Sequence, residues 1–367
     1  MITNILIVSN GLGEDSLASQ LITALYSSSQ KQGITIHCDT FPLVGTGEKY
    51  KKINCRVLYE NPIFPSHGFS TTSLTYLLKD IKAGALKNMF NQRKKLTEIK
   101  DNYSIVIVVG DYFAANQVAK AKYNKIIFIA TAHSIRIRKY SFLELKLLKD
   151  KIMQTITRDN DTAKYLQNKR VNAISFGNMM MDDPILKNAQ NISYNPQSNS
   201  IAIIPSSRKD AYENIASINS IISKIKTDLT FKISLAENLS MEKAKENIPQ
   251  TNTEIISGQF TEIIQNARAA IGMTGTGNEQ VAGLGVPIIL VKGNKPHTST
   301  RRMNEYKKLL NGSCFICKGT PEQQAAQIEK IITNQELLKQ ASQKGKEVMG
   351  PPGATNKTAE FIIQSFK

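Results

Sequence analysis

The chain has 367 residues, 41% hydrophobic and 21% charged; this excludes a disordered chain and exceeds one ordinary core, so two domains are expected. A formal charge of +17 points to polyanionic partners: phosphorylated substrates, an anionic membrane face or nucleic acid. Four cysteines in no framework pattern exclude a disulfide scaffold and fit a reducing compartment. Only Cys314 and Cys317 have metal-type spacing, and without a second such pair no metal site is expected.

The opening Met1-Ile2-Thr3-Asn4-Ile5-Leu6-Ile7-Val8 reads as a buried strand and not as a signal sequence, lacking a basic leader and a cleavage site. Ser9-Asn10-Gly11-Leu12-Gly13-Glu14-Asp15 then leads into a helix over 16–26. That turn lacks the third glycine of a dinucleotide fingerprint. Its two acids suit a sugar or another hydroxyl-bearing acceptor better than a phosphate, with Gly11 and Gly13 on the acceptor side and Glu14 as a candidate base. The structural alternative is that both acids satisfy the helix N-terminus.

Strands over 35–41, 105–109 and 125–130 follow, alternating with helices. Continuous apolar runs of this kind belong to a parallel sheet covered on both faces. Asp111, at the carboxyl end of the 105–109 strand, is placed either for a general base or for the N-cap of the next helix. His133 follows the next strand end, where it can contact an acceptor or simply support the turn.

Residues 70–95 break this rhythm. Leu74, Leu77, Leu78, Ile81, Ala85, Met89 and Phe90 recur at three- and four-residue steps among Lys79, Lys82, Lys87, Arg93, Lys94 and Lys95. The pattern predicts one basic amphipathic helix. Leu77, Leu78, Lys82, Met89 and Phe90 would meet an anionic bilayer surface, unless the helix is core-facing with a solvated lysine face. A second basic cluster, from Arg136 to Lys151, is threaded with Tyr140, Phe142 and leucines. No apolar run approaches the roughly 20 residues that span a bilayer, so a soluble or peripheral cytoplasmic protein is expected.

Polar residues and prolines over 183–200 read as a linker. A new sheet opens at 201–204 and runs into Pro205-Ser206-Ser207-Arg208-Lys209, where a guanidinium beside hydroxyls can clamp a diphosphate. Strands over 230–235 and 254–256 precede Gly258-Gln259-Phe260 and a further helix. Residues 269–291 then read as strand, Gly/Thr-rich turn, short helix and strand. There Gly275 and Gly277 would let the helix-start N–H groups face an anion, Thr274 and Thr276 add hydroxyls, and Glu279, followed by Gln280, can accept from a ribose. An ordinary turn with a glutamate favoured by the helix dipole is the plainer alternative. From 320 onward the tail is helical, interrupted by Gly350-Pro351-Pro352-Gly353.

The order of these motifs resembles the lipid-A-disaccharide synthases, and more closely a synthase-related group found in cyanobacteria and other bacteria. The likeness rests on Asn10–Asp15, Thr157-Arg158-Asp159, Phe176–Asp182, Ile204–Arg208, Gly275–Gln280 with Gly283–Pro287, and Met349–Ala354. Ser206 stands where the synthases have glycine, and Met179 where the related group has proline. The resemblance implies an α/β protein of the GT-B fold, two Rossmann-like domains with parallel sheets facing a central cleft. The acceptor domain would be 1–182 with the helix 354–367 packed back on it, 183–200 the linker, and 201–353 the nucleotide-sugar domain.

The implied activity is an inverting, metal-independent transfer from a UDP-sugar to a membrane lipid glycoside, without a cofactor, at the inner face of the cell membrane. Asp111 or Glu14 would be the base. Ser207, Arg208, Gln259, Thr274, Gly275, Thr276, Gly277, Glu279 and Gln280 would hold the donor, and Gly11, Gly13 and His133 the acceptor. A nucleotide-sugar epimerase of the same fold, or a non-catalytic basic membrane-surface or nucleic-acid-binding protein, is the alternative. Nucleic acid is not expected as a partner, since the chain has no Trp and no recognisable RNA or DNA module.

Overall fold

The computed structural model describes residues 2–65, 74–187, 189, 193–208, 210–246, 248, 252–273, 275–292 and 299–366. They form two compact units, Met1–Asp182 with Pro352–Lys367, and Asp183–Pro351. Each is a parallel sheet flanked by helices, as the continuous apolar runs predict.

In the first unit the strands are β1 (Ile2–Ser9), β2 (Thr35–Pro42), β3 (Arg56–Val57), β4 (Ile105–Gly110), β5 (Ile126–Ala130), β6 (Gln154–Thr157) and β7 (Ala173–Ser175). Their order is β3-β2-β1-β4-β5-β6-β7. Ile5 pairs with Cys38 of β2 on one side and with Ile105 of β4 on the other. Alternate residues of β1 serve two cores. Ile5 and Ile7 pack with Leu17, Leu21 and Leu25 of the helix Leu12–Lys31. Leu6 and Val8 pack with Ala114, Ala115 and Val118 of the helix Tyr112–Lys120. A strand buried on both faces has no polar side to show, which is why its sequence does not alternate.

The second unit contains β8 (Ser200–Ile204), β9 (Thr230–Leu235), β10 (Thr253–Ser257), β11 (Ala269–Gly272), β12 (Ile288–Leu290) and β13 (Cys314–Ile316), in the order β10-β9-β8-β11-β12-β13. One face is an isoleucine-rich core built on Ile201, Ile203, Phe231, Ile233 and Ile271. Beside the sheet, the helices Thr276–Gly283 and Gln335–Met349 approach so closely that a Cβ on Gly345 would lie 2.2 Å from the Ala282 carbonyl oxygen. Only glycine permits that contact.

The helix Ala354–Gln364 belongs to the first unit, giving Ala354, Ala359, Ile362 and Ile363 to its core, with Phe361 against the Phe176 ring at 5.3 Å. Asp182, where the chain leaves this unit, clasps the point of return. Its Oδ2 accepts from the Thr355 amide at 2.6 Å and its Oδ1 from the Gly353 amide.

Two expectations are corrected. The single helix predicted over 70–95 is two, Leu74–Lys82 and Ala85–Ile99, because Gly84 takes a left-handed conformation (φ +93°) that ends one and starts the other; residues 70–73 lie outside the described residues. The stretch read as a linker from 183 is packed at its start. Pro184–Leu186 forms a 3-10 turn capped by Asp183, Leu186 is buried, and the Ile185 carbonyl accepts from the Thr261 hydroxyl.

Candidate active site

In each sheet the chain starts in the middle, builds toward one edge, then returns and builds toward the other. The carboxyl ends of β1 and β4, and of β8 and β11, are therefore topological switch points, where adjacent connections diverge and leave room for a ligand. Of the residues singled out from sequence, Gly11, Asp111, Ser207, Arg208 and Gly275 fall in loops that follow switch-point strands, and Gly13, Glu14, Thr276, Gly277, Glu279 and Gln280 in helices that such loops lead into.

At the first switch point, Gly11 is the N-cap of the helix Leu12–Lys31. A Cβ there would lie 2.4 Å from Glu14 Oε2, so the half-buried Glu14 carboxylate folds over the Gly11 Cα. Gly13 is half-buried in the same turn. Asp15 turns inward and does not cap the helix, which corrects its reading as a helix-start acid. Ser9 Oγ donates to its Oδ1 at 2.5 Å, and the Tyr50 hydroxyl lies 2.5 Å from Ser9 Oγ and 3.3 Å from the same carboxylate oxygen. Burial raises its carboxyl to about 7, the Glu14 charge adding to the rise and the two hydroxyls opposing it.

Asp111 follows β4 and is the N-cap of Tyr112–Lys120, its Oδ1 accepting from the Ala114 amide at 3.2 Å. The same oxygen accepts from Asn10 Nδ2 at 2.7 Å, so the loops after β1 and β4 are joined by one hydrogen bond. Burial raises this carboxyl above the usual range, and its hydrogen bonds hold the rise in check. A carboxylate that is an N-cap and also more basic than usual can take a proton, so the capping and base readings coexist.

His133 sits otherwise. Its Nε2 is 3.0 Å from the Arg138 carbonyl oxygen, its Nδ1 3.6 Å from Glu144 Oε1, and its ring stacks on Tyr140 at 3.9 Å. Arg138 forks onto Glu144, which also completes a capping box with Ser141 and is held down at about 2 by these hydrogen bonds despite burial. Burial lowers the His133 pKa, so the neutral ring braces this turn. Nε2 is engaged with the Arg138 carbonyl, and an acceptor contact through that nitrogen would require breaking this interaction.

At the second switch point, the loop after β8 carries Ser206 at φ +150°, a conformation that favours glycine. Its Oγ accepts from the Arg208 amide at 3.1 Å. Asn214 supports the loop from below by donating to the Pro205 carbonyl at 2.7 Å. Ser207 is exposed and Arg208 half-buried; Lys209 lies outside the described residues.

After β11, Thr274 lies outside the described residues, and Gly275 is the N-cap of Thr276–Gly283; apart from its chain neighbours and its own helix backbone, no atom of the described residues lies within 4 Å of where its Cβ would stand. Thr276 is exposed. Gly277 packs toward Ile204 and Phe260, which draws the end of β8 and the starts of two helices together. Gln259, the N-cap of Phe260–Gln265, is exposed beside them. Glu279 is buried, and Gln280 donates to Asp183 Oδ2 at 3.2 Å. A helix start, an arginine and small hydroxyls on neighbouring switch-point loops are donors of the kind an anionic diphosphate needs.

The residues read as membrane-facing lie on the two helices split at Gly84. Leu77, Leu78 and Phe90 are exposed, Phe90 by 59%, with Arg93 5.7 Å from its ring centroid; Lys82 is exposed and Met89 half-buried. The second helix buries two amides, Asn88 and Gln92, on the face that gives Leu96 to the core, and leaves Leu86 and Phe90 exposed. Gln92 donates to the Leu43 carbonyl at 2.8 Å, and Asn88 donates to Asn61 Oδ1 at 3.0 Å while accepting from the Tyr59 hydroxyl at 2.8 Å. Sequence reasoning missed these amides, although their spacing at 88, 92 and 96 marks one helix face. It also missed Asn10 as a partner of Asp111, and Asn278, a buried amide that donates to the Met273 carbonyl.

Among the described residues, no group of three or more His, Cys, Asp or Glu is placed to hold a metal ion, and no helix is long and apolar enough to cross a membrane. No protein-family model and no curated protein sequence matches the chain. Solved structures do match. MurG of Acinetobacter baumannii is similar at 16% identity over 99% of both chains, with a TM-score of 0.65. The UDP-GlcNAc 2-epimerase of Neisseria meningitidis, bound to UDP-GlcNAc, is similar at 15% identity over 99% of both, with a TM-score of 0.60. CalG4, the calicheamicin glycosyltransferase, is similar at 14% identity over 100% of this chain and 98% of its own, with a TM-score of 0.64. At such identities the likeness speaks for architecture alone, and with the two parallel sheets it establishes a GT-B fold.

Proposed function

We propose that the chain is an inverting, metal-independent glycosyltransferase that moves a sugar from a UDP-sugar to a lipid-linked glycoside at an anionic membrane surface. The acceptor hydroxyl oxygen attacks the anomeric carbon as the bond from that carbon to the UDP oxygen breaks. Asp111 takes the hydroxyl proton, and UDP leaves with the bonding pair. Arg208 and the helix start at Gly275–Gly277 compensate the charge that develops on the diphosphate. Glu279 holds the ribose.

The observation that carries this reading is the helix Ala85–Ile99. It gives Leu96 to the core and buries two amides beside it, while Leu86 and Phe90 stay exposed. Of the large apolar side chains exposed among the described residues, all but Ile185 belong to the first unit, which also carries Asp111. Phe142 and Leu143, 77% and 64% exposed, stand in the second basic cluster. Exposed apolar residues flanked by lysine and arginine suit an anionic bilayer.

An epimerase is the second reading, favoured by the likeness to the Neisseria enzyme over 99% of both chains. One experiment separates the two. The protein is incubated with radiolabelled UDP-sugars, with and without vesicles made from a bacterial lipid extract. Label appearing in the organic phase only with lipid supports the transferase; an altered nucleotide sugar formed without lipid supports the epimerase. In either case UDP is expected to raise the melting temperature, and Arg208→Ala to remove roughly 1.5–3 kcal/mol of UDP binding. Equal UDP affinity in the two proteins removes Arg208 from the site.

A further inference from the structure

Resting on the reading of Asp111 as the base, we propose that Asn10 is a positioning residue that keeps the Asp111 carboxylate ionised and fixed in direction. Three observations meet at this side chain. Its Nδ2 donates to Asp111 Oδ1 at 2.7 Å. Its Oδ1 occupies the space beside Gly110, where a Cβ would lie 2.0 Å from it, and Gly110 itself takes φ +151°. That Oδ1 is buried and has no hydrogen-bond partner among the described residues.

The amide orientation follows from charge. An ionised carboxylate only accepts, so the NH2 end must face Asp111 and the oxygen is left against the Gly110 Cα. Leaving a buried carbonyl oxygen unpartnered is unfavourable, and the arrangement persists because the other end of the amide serves an anion. Gly110 makes room for it, since any side chain there would push Asn10 off the carboxylate. Asp111 Oδ1 is thereby occupied by Asn10 and the Ala114 amide. The carboxyl is held in one rotamer, and Oδ2 is the oxygen assigned to the incoming hydroxyl.

The groups acting on Asp111 are compatible with this role. Burial pushes its pKa up, while the amides of Ala114 and Phe113 and the Asn10 side chain pull it down. The first helix carries Glu14, Asp15 and Lys31, and Asp111's own helix carries Lys120 at its far end; on the helix Ala85–Ile99, which also holds Lys87, Lys94, Lys95 and Glu98, Arg93 gives its Nε to Gln117 Oε1 at 3.0 Å. Asn10 is the donor that comes from outside Asp111's own loop and helix, and so the one a substitution can remove without disturbing the helix start.

The test is a carbon-13 NMR titration of the aspartate carboxyls in the full chain, with Asp111 assigned by its loss in Asp111→Asn. In Asn10→Ala the donor is gone, and the Asp111 pKa is expected to rise by about one unit. In Asn10→Asp the shape is kept, but two carboxylates share one short contact, so the pair is expected to titrate in two steps with the upper one raised further. The shift in Asn10→Asp follows from the added charge alone, so Asn10→Ala, which removes the donor and adds no charge, is the deciding variant. An Asp111 pKa unchanged in Asn10→Ala overturns the proposal. In the vesicle transfer assay, the acid limb of the pH–rate profile should move to higher pH in the same order. If the NMR shifts occur but Asp111→Asn retains full transfer, the base reading fails while the Asn10–Asp111 coupling stands.

Discussion

Asp15 allows a prediction that depends on no ligand. It is fully buried against Ser9 and Tyr50, and burial raises its carboxyl from 3.8 to about 7. Between about pH 4 and pH 7 the folded chain therefore keeps a proton that the unfolded chain has lost. Stability contributed by this group is present at the acid end and is lost as pH rises through that interval, at up to about 1.4 kcal/mol per pH unit. With roughly three units between the two pKa values, the ceiling is about 4 kcal/mol. Asp15→Asn removes the titration. The amide keeps an oxygen for the Ser9 hydroxyl, while its NH2 stands where Oδ2 has no partner among the described residues. That unsatisfied NH2 costs about 1–3 kcal/mol at every pH, so the slope and not the offset carries the information. Urea midpoints measured for both proteins from pH 4 to pH 8 should show the wild type losing ground relative to Asp15→Asn as pH rises. A difference between the two that stays constant across this range would refute the argument, because every other titrating group is shared.

Three further outcomes are expected. Ser206 at φ +150° should make Ser206→Gly melt above Ser206→Ala by about 1 kcal/mol, the reverse of the usual order, since both lose the Oγ bond and only glycine relieves the backbone; the usual order would remove the strain argument. Replacing both Leu77 and Leu78 by Ser should release the protein from anionic vesicles while changing stability by no more than about 0.5 kcal/mol, as both are exposed; unchanged sedimentation with vesicles would move the contact to Phe142 and Leu143. Transfer should persist in excess EDTA, because the proposed charge compensation comes from Arg208 and a helix start; a strict need for a divalent cation would count against that mechanism.

The fold was legible because buried parallel strands announce themselves. Ile5–Val8 and Ile105–Val109 are apolar at consecutive positions, and each is buried on both sides of its sheet. The switch-point loops were legible too, through glycines and short polar residues that interrupt such runs, as at Asn10–Gly13 and Gly275–Gly277. The pairing of those loops was not. Nothing in the local sequence of Asn10 tells that its amide reaches a carboxylate 101 residues away. The helix over 85–99 was legible only in part: apolar periodicity reports which side chains share a face, not whether that face is covered. Asn88 and Gln92 are inside because Asn61, Tyr59 and the Leu43 carbonyl wait for them, and those partners come from distant segments. His133 shows the same limit, since a histidine after a strand reads alike whether it meets a ligand or, as here, Tyr140 and Glu144.

The clasp at Asp182 has a consequence for synthesis on the ribosome. Ala354, Ala359, Ile362 and Ile363 belong to the core that holds Ile5 and Ile7, so the first unit is complete only after residues 183–351 have been translated. Until then the face of the sheet next to Leu17 and Leu21 is exposed to water, during the interval when a nascent chain is most open to aggregation or chaperone binding. The Asp182 carboxylate stands at the start of that wait and, by receiving the amides of Gly353 and Thr355, at its end. Early release of the chain before residue 352 should therefore leave a second unit able to fold and a first unit that stays sensitive to protease.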